Sequence, residues 1–414
     1  MVRQASISTR DKVFAILIIT VFIALSFTRS YDFKTFGSIL NDTGNDWGTY
    51  ASYASDILHN GILMPSVNGP YYSPAGWLYN YFLALCLAVF GQKVQPIYVI
   101  QHIMLALSVV LIYWTFRDKM RGVTAALFLE ALLFFAYKDV YKNYAPLLLS
   151  ENLALFTISV FFFCFIRGFG NDRFALQIAS AVMLALSILT RPNIALYGVL
   201  LLPVLTVYYI RQGRPWIMKV SVFMAVFFLS VSMLAIRNYM VCRKPVFLPA
   251  QVSSASFLKL YHPIPASVDL SKVSVNPLYS KLHLNKEVVE YAEYAMQEPS
   301  VFLGHYLSKA VFCLGFFKTL SPDMSNRRRW ILMWLGYALY IFLRVRGRYR
   351  LELWEFAVHL YIFCYYASLI FSGPIHNYGF RMLIPAVFYV LALAFMGLGR
   401  LVSLIGREKE RYLS

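Results

Sequence analysis

The chain has 414 residues, 59% hydrophobic and 14% charged, against about 45–50% apolar and about 25% charged in soluble domains, which excludes a soluble globule and places most of the chain in a bilayer. Its 38 Lys and Arg against 20 Asp and Glu give a net charge of +18, which in a polytopic membrane protein belongs to cytoplasmic loops and anionic lipid, not to nucleic acid. Cys86, Cys164, Cys313 and Cys364 lie in apolar runs and Cys242 alone in a polar stretch, a pattern of buried thiols and not of disulfide staples or zinc ligands.

In chain order, Arg3, Arg10 and Lys12 precede an apolar run from Val13 to Phe27 with no small-residue cleavage pattern after it, which predicts a retained first span. A polar loop follows over about residues 29–73. Within it Trp47, Tyr50, Ala54, Ile57 and Leu58 recur at three and four residues, which predicts an interfacial amphipathic helix closed by Gly61. Further spans are expected near 96–116, 122–137, 147–166, 174–190, 194–210, 216–236, 330–343, 353–371 and 382–399. Segments 74–90 and 301–317 are shorter or more polar. A proline-punctuated loop over 237–300 carries a second helical stretch, Glu287 to Gln297, ended by Pro299.

Charge decides the count. With the two doubtful segments left out, ten spans put both termini inside, together with Arg117/Lys119/Arg121, Arg167/Arg173, Arg211/Arg214/Lys219, Arg344 to Arg350 and Arg407/Lys409/Arg411. Only Arg327-Arg328-Arg329 is then misplaced, whereas twelve spans move most middle clusters to the wrong face. The expected fold is an all-α polytopic transmembrane bundle of about 10–12 spans. It divides into a membrane module over 1–236, an extracytoplasmic loop over 237–300 and C-terminal helices over 301–414.

Ionisable residues at membrane depth are costly and usually face a cavity. Asp46, at the start of the interfacial helix, is placed to take a proton from a hydroxyl attacking at the membrane surface; as a helix cap it is explained equally well. Glu151 opens an apolar run where the helix dipole alone would favour it, and Arg191-Pro192-Asn193 reads as a turn or as part of a site. Arg237 and Arg381 stand at outer ends of spans, where an arginine snorkels or holds a phosphate; Lys259 and His262 are further phosphate partners. No Walker loop, dinucleotide fingerprint, HExxH, CxxC or nucleophile elbow appears, which removes support for nucleotide-driven transport and cofactor redox chemistry.

Seven short patterns occur in a fixed order. They are Asp46-Trp-Gly-Thr-Tyr50 with Ala54 and Gly61; Tyr71-Tyr-Ser-Pro74 with Leu78 and Leu83-Ala-Leu85; Leu149-Ser-Glu151-Asn-Leu153; Leu189-Thr-Arg191-Pro-Asn193; Ile236-Arg-Asn-Tyr239; Glu298-Pro299 followed by Lys309; and Tyr378-Gly-Phe-Arg381 with Pro385. Together they resemble the polytopic GT-C glycosyltransferases, in the branch of protein O-mannosyltransferases and bacterial aminoarabinose transferases. The resemblance implies a sugar donor on a polyprenyl phosphate and a glycan, lipid or protein acceptor. It also implies inverting transfer on the periplasmic or lumenal side, in a bacterial inner membrane in preference to the endoplasmic reticulum. It makes Asp46 the general base and gives substrate contacts to Tyr50, Tyr72, Glu151, Arg191, Arg237, Lys259, His262 and Arg381. The family's frequent Asp-Glu pair is Asp46-Trp47 here, so no metal ligand is assigned and a divalent metal stays open. A non-catalytic transporter or flippase of lipid-linked glycans, or an O-antigen polymerase or ligase, is the alternative expectation.

Overall fold

A computed structural model describes residues 9–28, 39, 46–63, 77–120, 122–141, 148–211, 216–243, 290, 293–294, 296–314, 324–347, 351–372 and 382–413. Every regular element among them is a helix, the form in which a single segment satisfies its own backbone in hydrocarbon. Hydroxyls inside the apolar runs are satisfied locally. Ser108 Oγ donates to Met104 O at 2.6 Å, Thr115 Oγ1 to Leu111 O at 2.7 Å and Ser159 Oγ to Leu155 O at 2.6 Å, so these residues stay helical without offering lipid a bare polar group.

The helices are α1 (Thr9–Thr28), α2 (Asp46–Asn60), α3 (Trp77–Phe90), α4 (Val94–Phe116), α5 (Gly122–Phe135), α6 (Glu151–Gly170), α7 (Phe174–Thr190), α8 (Ala195–Arg211), α9 (Trp216–Cys242), α10 (Pro299–Cys313), α11 (Met324–Arg346), α12 (Leu353–Ser372) and α13 (Ile384–Leu413). Among the described residues six stretches are long and apolar enough to cross a bilayer: Val94–Lys119, Glu151–Gly170, Pro192–Arg211, Met218–Val241, Leu353–Ile370 and Ile384–Ile405.

The chain forms two compact units. The first takes Met1–Ala250, Met333–Tyr365 and Ile384–Ser414, the second Gln251–Leu332 and Tyr366–Leu383. In the first unit the helix ends carry opposite chemistry. Asp11 at the start of α1 accepts two hydrogen bonds from Arg117 just past α4, one of 2.8 Å. Arg167, at the end of α6, shares the field of Asp118 and Arg117, and Lys219 near the start of α9 pairs with Asp172 at the α6–α7 corner. Glu355, in the first turn of α12, pairs with Arg344 and lies 3.6 Å from Arg400. The clusters at Arg117, Arg167, Lys219 and Arg344 thus gather at one end of the unit, beside Asp11, Asp118, Asp172 and Glu355. Arg327-Arg328-Arg329 lies in the first turns of the helix whose last turn carries Arg344.

The segment near 74–90 forms α3, one of the shorter apolar helices at 14 residues. Its first residue, Trp77, packs on Leu189 at the end of α7 and on Leu234 late in α9. Its far end turns at Gly91, φ +65°, into the start of α4. Both ends therefore lie opposite the basic end. The middle of the unit is aromatic: Phe162 of α6 meets Tyr361 of α12 at 5.3 Å and Tyr389 of α13 at 4.6 Å between ring centroids. The phenols find acceptors, Tyr361 Oη at Pro385 O (3.0 Å) and Tyr389 Oη at Ser159 Oγ (3.3 Å).

In the second unit Glu290, Tyr294 and Met296–Gln297 are helical, as the sequence predicts, and Glu298 interrupts them. Pro299 then opens α10, as proline does where a first-turn N–H has no partner to lose.

Candidate functional site

The site stands opposite the basic end of the first unit, where α2 and α3 lie on the bundle. α2 begins at Asp46 and buries Tyr50, Ala51, Ala54 and Ile57. Tyr50, Ala54 and Ile57 keep the three-and-four spacing read from the sequence, whereas Trp47 is half-buried and Leu58, expected on the same face, is exposed because the next turn of the helix carries it off that face. Gly61, φ +86°, ends it in the left-handed conformation typical of a helix stop. On its half-buried flank, burial raises the Asp56 carboxyl above its usual value, opposed by His59.

Tyr50 sets its ring edge against Tyr79 of α3, with centroids 5.1 Å apart, and shares a 3.3 Å hydrogen bond with Ser150 Oγ. Tyr79 Oη in turn donates to Gln101 Oε1 at 2.8 Å. Ser150 precedes α6, its carbonyl accepting the Ala154 N–H at 2.9 Å, and Glu151 fills the first turn, where the helix dipole favours an anion.

Arg191 answers Glu151 because of its place in the chain. Pro192 after it disfavours helix at Arg191, so α7 stops at Thr190 and Arg191 is extended (φ −141°, ψ 109°). Its Nη1 lies 2.8 Å from Glu151 Oε1, with the two side chains 9% and 1% exposed. Tyr365 and Tyr50 also act on Arg191 electrostatically. A charge this deep persists because its counter-charge is in place.

Arg237, buried near the end of α9, donates from Nε to Leu63 O and from Nη1 to Asn238 Oδ1, both at 2.9 Å. Tyr81 of α3, beside it, donates from Oη to Ile62 O. The buried carboxamides of Asn80 and Asn152 have no hydrogen-bond partner among the described residues.

The structure thus brings Tyr50, Glu151 and Arg191 into one cluster and ties Arg237 to the chain just beyond α2. Asp46 starts α2, but its side chain lies outside the described residues, as do Tyr72, Lys259, His262 and Arg381. Tyr79, Gln101, Tyr81 and Tyr365 were not singled out from sequence, and Ser150 stood there only within the Leu149-Ser-Glu151 pattern. Gln101, a polar residue within an apolar span, carried the one signal that could have found it. Among the described residues no group of three or more His, Cys, Asp or Glu is placed to hold a metal ion.

Residues 74–236 match the family model described as dolichyl-phosphate-mannose-protein mannosyltransferase. Among solved structures, the chain is similar to the archaeal oligosaccharyltransferase AglB from Archaeoglobus fulgidus, in complex with an inhibitory peptide and a dolichol-phosphate. The TM-score is 0.50 at 11% identity, over 98% of this chain and 52% of that one. It is also similar to ArnT from Cupriavidus metallidurans bound to undecaprenyl phosphate, with a TM-score of 0.40 at 15% identity over 95% of this chain and 78% of ArnT. No curated protein matches the sequence. The likeness to AglB is one of fold, and this chain spans about half the length of the AglB chain.

Proposed function

We propose that the protein transfers a sugar from a polyprenyl-phosphate carrier to an acceptor hydroxyl, inverting the anomeric carbon, with Asp46 as general base. The Asp46 carboxylate takes the proton of the hydroxyl as its oxygen bonds to the anomeric carbon. The bond from that carbon to the phosphate oxygen breaks, and the polyprenyl phosphate leaves with the electron pair. Arg381 and Lys259 meet the charge on the departing phosphate, and Tyr72 and His262 contact the substrates. A positioned base of this kind contributes about 10²–10⁴ in rate. The lipid tail of the carrier lies between helices, so the catalyst is built mostly from membrane segments.

The observation that carries this reading is the family match. It spans residues 74–236 and so contains both members of the Glu151–Arg191 pair, and the family is described by a lipid-phosphate sugar donor. AglB, with a TM-score of 0.50, holds a dolichol-phosphate, which supports the same carrier class. The gathering of basic clusters at the opposite end supports transfer on the extracytoplasmic side.

Mass spectrometry of envelope glycans, lipids and proteins from cells with and without the protein tests the activity. One sugar residue should disappear from one acceptor when the protein is lost and return with the wild-type chain. Accumulation of an unmodified lipid-linked glycan on the cytoplasmic side, with every sugar linkage otherwise intact, would identify a flippase instead.

A further inference from the structure

α2 has fifteen residues, about 22 Å of helix, and it opens with the residue assigned as base. Polar contacts hold it at two points. One turn after Asp46, Tyr50 is bonded to Ser150, next to the Glu151–Arg191 pair. Just past its C-terminal end Gly61 turns the chain, and the next two carbonyls are taken by other helices: Ile62 O by Tyr81 of α3 and Leu63 O by Arg237 of α9.

We propose that these contacts form a two-point clamp that holds α2, and with it Asp46, in register with the bundle. Arg191 and Arg237 are then positioning residues acting through α2, not ligands of the donor phosphate. This inference rests on the reading of Asp46 as base.

The chemistry of the two arginines favours it. Arg237 has a single Nε–H and spends it on Leu63, which closes one edge of the guanidinium fork to bidentate phosphate. Arg191 is neutralised by a carboxylate 2.8 Å away, so little of its charge reaches a phosphate. At the Tyr50 end the bond is buried, where it competes least with solvent. A base displaced by about 1 Å loses on the order of a hundredfold in rate, so a helix with few turns on the bundle needs such anchoring.

The test uses the full chain in vesicles, with Tyr50→Phe, which removes one hydroxyl and keeps the ring packing, and Arg237→Met, which removes the donor at the other point. Three quantities are read: kcat for sugar transfer, affinity for undecaprenyl phosphate, and hydrogen exchange of the amides in residues 46–60. The clamp predicts kcat lower by about tenfold or more in each variant. Undecaprenyl phosphate affinity should stay within twofold and exchange over 46–60 should quicken by about tenfold or more. Tenfold weaker lipid binding by Arg237→Met, or unchanged exchange of 46–60 in both variants, overturns it. Full activity of Asp46→Asn would overturn the base assignment while leaving the exchange result readable, so the two failures are distinguishable.

Discussion

A glutamate and an arginine buried together are stable as a pair and costly apart. Removing one partner of such a pair costs about 3–5 kcal/mol, because the other charge stays behind without compensation, whereas replacing both with apolar groups of similar volume is often near neutral. Arg191→Met should therefore lower the thermal unfolding midpoint well below that of the double variant Glu151→Leu/Arg191→Met, although the double variant carries more substitutions. Equal or greater loss in the double variant would mean that the pair is not compensated in the way its 2.8 Å separation indicates. Both residues stood out in the sequence as ionisable groups at the ends of apolar runs. Their pairing did not, since it depends on where Pro192 stops α7 relative to the first turn of α6, a register that only packing sets.

Close helix contacts depend on residues that reveal nothing about it in the sequence. Gly397 of α13 lies against α11, where an added Cβ would fall 2.7 Å from Gly336 O and 2.9 Å from Tyr340 N. Gly397→Ala should cost about 1–3 kcal/mol by forcing the helices apart. Gly304→Ala in α10 meets open space and should stabilise by about 0.8–1 kcal/mol, the helix-propensity difference. Unfolding midpoints of the two variants should move in opposite directions, and a shared direction would contradict the packing of α11 on α13. Other elements were easier to read. The spacing of Tyr50, Ala54 and Ile57 defined α2, and the 14-residue length of α3, about 21 Å, falls short of a hydrocarbon core of roughly 30 Å. The turn at Gly91 and the seat of Trp77 on Leu189 and Leu234 decide that α3 returns to the end it came from.

At the scale of the whole chain, the separation of charge was the most legible feature: the clusters at Arg117, Arg167, Lys219 and Arg344 were grouped from loop composition alone, and their interleaving with Asp11, Asp118, Asp172 and Glu355 follows in the structure. The aromatic interior was less legible, because a Phe or Tyr in an apolar span looks the same whether it meets lipid or another helix. Topology can be checked directly. Cys86, Cys164, Cys313 and Cys364 are buried, so in a Cys242→Ser background a membrane-impermeant thiol reagent should label Asn60→Cys on intact cells and Arg173→Cys only after permeabilisation. Labelling of both from one side would overturn the arrangement.

The central claim is that a carboxylate at the head of α2 activates an alcohol against a lipid-phosphate sugar. Its most direct test is release of polyprenyl phosphate from a polyprenyl-phosphate sugar by purified Asp46→Asn, in vesicles supplied with an acceptor extract. Release should fall by about a hundredfold or more, with protein level and undecaprenyl phosphate binding unchanged. Release at the wild-type rate would contradict the account.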